Sequence, residues 1–371
     1  MTNLTGESKN GYTANRNGSL HLEDPGVIYA RVQDYYGRVL SSTSDLKTTA
    51  CCVADSPPKY IRDRLVKVPE EILQKFYGCG TPLPSGIEGL NVLDLGCGSG
   101  RDCYVAAALA GPSGTVTGVD MTEEQLQVAN AHVSEYTKIL GYPKPNLRFV
   151  SGYIEFLEKA GIERESMDLV ISNCVINLSP DKPRVLSEVY ASLKWGGELY
   201  FSDVYCSRRL PEHVRKHDVL LGECLAGALY IEDFKRLCHH AGFTDPRMMS
   251  CCPIEVTDEG LADILGEAKF YSITFRCFKL PELETLCEDY GQIAIYEGGI
   301  EGNANAYRLD DHHLFERNLP VRVCGNSASM LGESWLRKYF QIVGSRDVHY
   351  GLFDCTPSAS AVESSPPGDC C

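Results

Sequence analysis

The chain has 371 residues, enough for one large domain and a smaller one. Its 43% apolar and 23% charged residues are those of a globular protein, and a formal charge of −15 argues against a nucleic-acid partner, whose phosphates it would repel. No run approaches the ~18 apolar residues of a membrane helix. The N-terminus also lacks the apolar core and cleavage pattern of a secretory signal, so a cytoplasmic protein with no membrane partner is expected.

Residues 1–25 are rich in Asn, Gly, Ser and Thr and are expected to be disordered. Residues 26–85 read as N-terminal helices and a cysteine loop. Apolar residues at helical spacing run from Val27 to Leu40, and a loop with adjacent Cys51 and Cys52 ends in a proline pair. A helix is predicted from Ile61 to Phe76, stopping at Tyr77-Gly78-Cys79-Gly80.

Val92 to Asp102 reads VLDLGCGSGRD. A short apolar run carries an acid, Asp94, and three glycines follow at every second position: Gly96, Gly98 and Gly100. This is a strand entering a tight turn that opens a helix, where a Cβ would obstruct the turn or a ligand pressed against the backbone. The spacing differs from the dinucleotide fingerprint. It resembles the binding loop of the class I S-adenosylmethionine (SAM)-dependent methyltransferases.

From Leu90 strands and helices alternate. A helix over CYVAAALA precedes a strand ending at Asp120, and a long amphipathic helix spans Glu123 to Leu140. LRFVSGY and MDLVISNCVINL are the third and fourth strands. A helix capped by Ser179, with Pro180 in its first turn, precedes a fifth strand, GGELYFSDVY. This rhythm predicts an α/β fold: a doubly wound, mostly parallel Rossmann-like sheet with helices on both faces, over 86–280. Residues 206–245 read as mostly helical, and PRMMSCCPIEV and FYSITFRCFKL as an antiparallel edge. Residues 281–355 read as a small C-terminal domain, and 356–371 as a disordered tail ending in Cys370-Cys371.

In such a sheet, ligands bind at the carboxyl ends of the strands beside the switch point. Asp94, Gly96, Gly98 and Gly100 are therefore candidate cofactor residues. Asp120 is placed where a carboxylate can accept two hydrogen bonds from a ribose diol, although a helix cap explains the same residue equally well. Met121 is positioned to pack on the adenine, and Ile154-Glu155 to cover and bond its other edge.

Seventeen cysteines are too few for a small disulfide scaffold. In a reducing compartment they suggest metal binding, redox chemistry or a thiol-bound substrate. Most are individually explained by packing, because free cysteine is among the most buried residue types. Cys97, Cys103, Cys206, Cys238, Cys277, Cys287 and Cys324 fall in that group. The pairs Cys251-Cys252 and Cys370-Cys371 have two adjacent sulfurs each, and no CxxC motif occurs.

DYYGRVL, YGCG, DLGCGSGRDCY, SNCVINL, GGELYFSDVY and GECLAGALY together resemble the arsenite methyltransferases over residues 30 to 280. The resemblance implies that Cys79, Cys174 and Cys224 hold trivalent arsenic as substrate. It implies that Cys51, or its neighbour Cys52, serves in disulfide exchange, with Cys79 as its expected partner, and that Tyr77 lies near the sulfonium. SAM would be the methyl donor, and thioredoxin or glutathione the external thiol reductant. Two other readings remain: a SAM-dependent C- or O-methyltransferase acting on a lipid or quinone, and a non-catalytic arsenic-binding protein.

Overall fold

The computed structural model of the protein describes residues 25–36, 57–76, 78–222 and 224–354. Cys51, Cys52, Tyr77 and the Cys370-Cys371 pair lie outside them, as do nearly all of 1–25 and the tail 356–371. Among the described residues no helix is long and apolar enough to cross a membrane.

The N-terminal helix α1 spans Pro25–Asp34. The single helix expected over 61–76 is two, α2 (Lys59–Leu65) and α3 (Glu70–Gln74). Pro69 separates them, because proline has no backbone N–H and keeps the residue before it out of helical conformation.

The sheet begins with β1 (Asn91–Leu95), α4 (Arg101–Ala110) and β2 (Thr115–Asp120). The helix expected over 123–140 is broken at His132 into α5 (Glu123–Ala131) and α6 (Val133–Leu140), where the His132 ring meets Glu71 of α3 at 2.8 Å. Then come β3 (Leu147–Ser151), β4 (Met167–Asn173), α7 (Lys182–Ser192) and β5 (Leu193–Cys206). The cap of α7 is Asp181, not Ser179: the Asp181 carboxylate accepts from the Arg184 N–H at 3.2 Å, and Pro183 occupies the first turn.

Residues 206–245 are less helical than expected. They contain α8 (Glu212–Arg215), α9 (Asp218–Gly222), β6 (Leu229–Tyr230) and α10 (Ile231–Ala241), with Cys224 in the turn after α9. β7 (Arg247–Ile254), α11 (Glu259–Leu265) and β8 (Phe270–Phe278) complete the sheet.

Its strand order is β3-β2-β1-β4-β5-β8-β7, with β6 beside β5. The first five are parallel, and β8 and β7 run antiparallel, as the sequence predicts. The order reverses between β1 and β4, which locates the ligand crevice.

Side chains alternate across the sheet with the strand period of two. Val92, Leu169 and Ile171 join one buried cluster, and Leu93, Leu95 and Val170 the other. The first cluster takes in α4 and the C-terminal segment, and the second α7 and α10. That segment holds β9 (Ile293–Tyr296), β10 (Ala306–Arg308), β11 (Leu314–Glu316), β12 (Pro320–Arg322), α12 (Gly325–Gly332) and β13 (Phe340–Val343). β12, β9 and β13 form an antiparallel sheet, and β10 pairs with β11.

A buried ion pair joins this segment to the main sheet. The Arg276 guanidinium grips Glu198 at 2.6 and 3.0 Å, and also donates to the Tyr307 hydroxyl and the Leu309 carbonyl oxygen. Trp335 Nε1 donates to the same carboxylate at 2.9 Å.

Candidate functional site

A cleft of about 960 Å³ opens at the carboxyl ends of β1, β2, β3 and β4. Its floor is the glycine turn, with φ of +61° at Gly96, +52° at Gly98 and +92° at Gly100. A Cβ on Gly96 would strike Val175, whereas beside Gly98 the space is open. That open stretch lets a ligand approach the backbone closely.

Asp120 anchors the turn. One carboxylate oxygen accepts from the Gly98 N–H and the other from the Thr122 N–H, both at 2.8 Å. Burial raises the Asp120 pKa, and these backbone donors oppose the rise. Met121, Ile154 and Glu155 line the same cleft. Glu155 accepts from the Ser179 hydroxyl and from the hydroxyl of Tyr29 on α1.

The cleft is rich in buried acid. Asp94, Asp102, Asp120 and Glu155 line it, with Arg101 and Lys75 as the cations. Arg101 is spent on Asp102 at 3.0 Å. Burial and the charge of Asp102 push the Asp94 carboxyl well above its usual range. Gln125 Oε1 is a buried acceptor without a partner among the described residues. This donor set fits SAM: the surplus carboxylates face a molecule with a sulfonium and an ammonium, and the orphaned acceptor faces one with free N–H and O–H groups.

Beyond the cleft lies a buried apolar cluster. Cys79, Cys174 and Cys224 belong to one buried cluster with Val204, Leu220 and Leu225. Cys79 and Cys174 are joined by a disulfide, with Cα atoms 5.8 Å apart. The Cys224 sulfur lies 3.2 Å from the Cys174 carbonyl oxygen. Three thiols far apart in sequence thus meet, and Cys174 also lines the cofactor cleft. Cys51, the partner expected for Cys79 in disulfide exchange, lies outside the described residues.

Cys174 immediately follows β4, and its N–H donates to the Ser202 carbonyl oxygen at 2.9 Å. Cys174 and Cys224 hold left-handed φ of +57° and +61°, which non-glycine residues rarely adopt outside functional sites. Burial pushes the nearby Lys182 down to about 8, opposed by the charges of Asp203, Glu155 and Cys224.

Asn173 fixes Cys79 against the cofactor turn. Its Oδ1 accepts from the Gly80 N–H at 3.1 Å, and its Nδ2 donates to the Gly80 carbonyl oxygen and to Asp102. Ser272 holds the Cys79 carbonyl oxygen at 2.8 Å.

Residues 87–242 match a family model described as a methyltransferase domain. An arsenite methyltransferase of Aquipseudomonas alcaligenes is 52% identical over 327 residues, 88% of this chain and 94% of that one. The Homo sapiens arsenite methyltransferase is 44% identical over 318 residues, 85% of this chain and 84% of that one. A crystal structure titled as an arsenic(III) S-adenosylmethionine methyltransferase from Chlamydomonas reinhardtii matches with a TM-score of 0.79 at 60% identity, covering 81% of this chain and 100% of that one. The chain belongs to the arsenite methyltransferase family.

Several residues of the site in this family member escaped the sequence reading. Tyr29, Gln33 and Tyr36 recur at helical spacing, and Tyr36 also lies within DYYGRVL. Gln33 donates to the Met121 carbonyl oxygen at 2.9 Å, and the Tyr36 carbonyl oxygen accepts from Gln125 at 2.9 Å. The Tyr36 hydroxyl donates to the Gly222 carbonyl oxygen at 2.9 Å and lies 3.8 Å from the Cys224 sulfur. This segment therefore spans the cofactor cleft and the thiol cluster together. Asn173 stood inside SNCVINL, but its partners only appear once the chain is folded.

Proposed function

We propose that the chain methylates trivalent arsenic, with SAM as donor and the Cys79, Cys174 and Cys224 thiolates as the substrate's ligands. The observation that carries the reading is that these three cysteines share one buried apolar cluster, with Cys174 also lining the cofactor cleft. Trivalent arsenic is soft and takes thiolate ligands. Three sulfurs fill its coordination and leave its lone pair free.

Gly96, Gly98 and Gly100 bed the donor, Asp94 balances its cationic end, Asp120 receives its ribose, and Met121, Ile154 and Glu155 enclose its adenine. SAM, when bound, supplies an electrophilic methyl group. The lone pair carries no proton, so the protein provides orientation rather than a general base. Tyr77, which lies outside the described residues, is the residue that the family resemblance assigns to the sulfonium.

Methyl transfer raises arsenic formally by two electrons. Cys79 and Cys174 can return them: two As–S bonds break, one S–S bond forms, and a water binds arsenic and gives a proton to solvent, leaving trivalent arsenic bound to methyl, hydroxyl and the Cys224 sulfur. The disulfide between these residues is the oxidised end of that cycle. Cys51, or Cys52, then passes the disulfide outward to thioredoxin or glutathione, whose two thiols supply two electrons and two protons.

The test is incubation of reduced protein with arsenite, methyl-labelled SAM and a dithiol, followed by separation of arsenic species. Label in a methylarsenical is expected. Label in a quinone or lipid, or in no product, refutes the reading.

A further inference from the structure

Besides the disulfide, three pairs of cysteines are neighbours among the described residues. In Cys97–Cys103 and Cys238–Cys277, burial pushes the Cys97, Cys103 and Cys277 thiols up, so they are inert space-fillers. Cys287–Cys324 differs, because its surroundings favour a thiolate.

Cys324 is the N-cap of α12. Its sulfur lies 3.5 Å from the Ser327 N–H nitrogen and 3.3 Å from the Ser327 hydroxyl, where the positive end of the helix dipole favours an anion. Arg247 Nη2 approaches it at 3.8 Å. Arg247 also pairs with Asp245 and with Asp310, and Asp310 in turn meets His313. The hydrogen bond from Cys287 first, then Arg247 and Ser327, outweigh burial and hold the Cys324 thiol down at about 4.

Cys287 is only half-buried, whereas Cys324 is wholly buried. The Gly325 N–H donates to the Glu288 carbonyl oxygen at 2.9 Å, which ties the two cysteine segments together, and the Phe353 N–H holds the Cys287 carbonyl oxygen at 2.8 Å. Neither cysteine lines the cofactor cleft.

We propose that Cys287 and Cys324 form a second thiol site, which chelates a trivalent arsenical carrying one carbon substituent. The geometry stands by itself, while the choice of ligand rests on the proposed activity, whose first product has that form. Two sulfurs match the two exchangeable oxygens of such a molecule.

Binding needs no oxidant. Two As–O bonds break and two As–S bonds form, and arsenic stays trivalent. The hydroxyls leave as two waters, taking one proton from Cys287 and one from solvent.

The experiment uses the full, reduced chain without SAM. Phenylarsine oxide is the probe, thiols are then alkylated, and peptides are analysed by mass. Protection of Cys287 and a phenylarsenic bridge between the Cys287 and Cys324 peptides are expected. Both should be lost in Cys324→Ser, whose hydroxyl can still cap α12 and whose fold is checked by thermal unfolding. Equal alkylation of Cys287 with and without the probe, equal protection in Cys324→Ser, or absence of the bridge overturns the proposal. Label transfer to arsenite is measured separately and is expected to survive Cys324→Ser, so failure of the dithiol site is distinguishable from failure of the proposed activity.

Discussion

Cys174 and Cys224 sit in matching left-handed turns, and the Cys224 sulfur rests 3.2 Å from the Cys174 carbonyl oxygen. Neither turn is favoured by cysteine itself, so the surrounding fold holds both sulfurs at one place. Cys224→Ser keeps the turn and removes the soft donor. Methyl transfer to arsenite should fall at least about 100-fold, as expected when a positioning contact is lost. SAM affinity, followed by calorimetry, should stay within about twofold. A large loss of SAM binding would mean that the thiol cluster and the cleft are not separable.

Asp120 has the opposite signature. Asp120→Ala removes the proposed acceptor for the ribose and leaves the Gly98 and Thr122 N–H groups without this partner. Losing hydrogen bonds to a charged group costs about 1.5–3 kcal/mol, or roughly 10- to 100-fold in SAM affinity. Arsenite binding, read by thiol protection, should be unchanged.

Arg276 and Glu198 form a pair whose side chains are about 1% and 0% exposed. Arg276→Met leaves the carboxylate buried with Trp335 as its remaining donor. A loss of about 3–5 kcal/mol in denaturant unfolding is expected, because an uncompensated charge remains inside. The double substitution Arg276→Met with Glu198→Leu should recover part of it.

Asp203 makes stability depend on pH. Burial raises its carboxyl from the ordinary 3.8 to about 6, against the donors of Val204 and Asn177 and the charge of Lys182. The folded chain therefore retains a proton that the unfolded chain releases. Its contribution is fully present below about pH 4 and is lost as pH rises through 6, about 3 kcal/mol in all. Urea unfolding of Asp203→Asn between pH 4 and 7 should lack that part of the slope.

Local signals carried the reading of the sheet. The glycine turn, Asp120 and the strand–helix rhythm each depend on residues close in sequence, and all three stand in the fold. Pro69 carried a signal that was passed over when α2 and α3 were read as one helix. Ser179, the expected cap, gives its hydroxyl to Glu155 instead, and Asp181 caps α7.

Long-range contacts were the harder part. The Cys79–Cys174 bond spans 95 residues, and no spacing rule reaches that far. Cys324 looked like filler because Arg247, which changes its chemistry, is 77 residues away.

The central claim is that three protein sulfurs hold the substrate. X-ray absorption at the arsenic edge, on fully reduced enzyme loaded with less than one equivalent of arsenite, counts the atoms bound to arsenic. Three sulfur neighbours and no oxygen are predicted, falling to two sulfurs in Cys224→Ser. Arsenic bound through oxygen in the native enzyme, or three sulfurs retained in Cys224→Ser, would contradict the account.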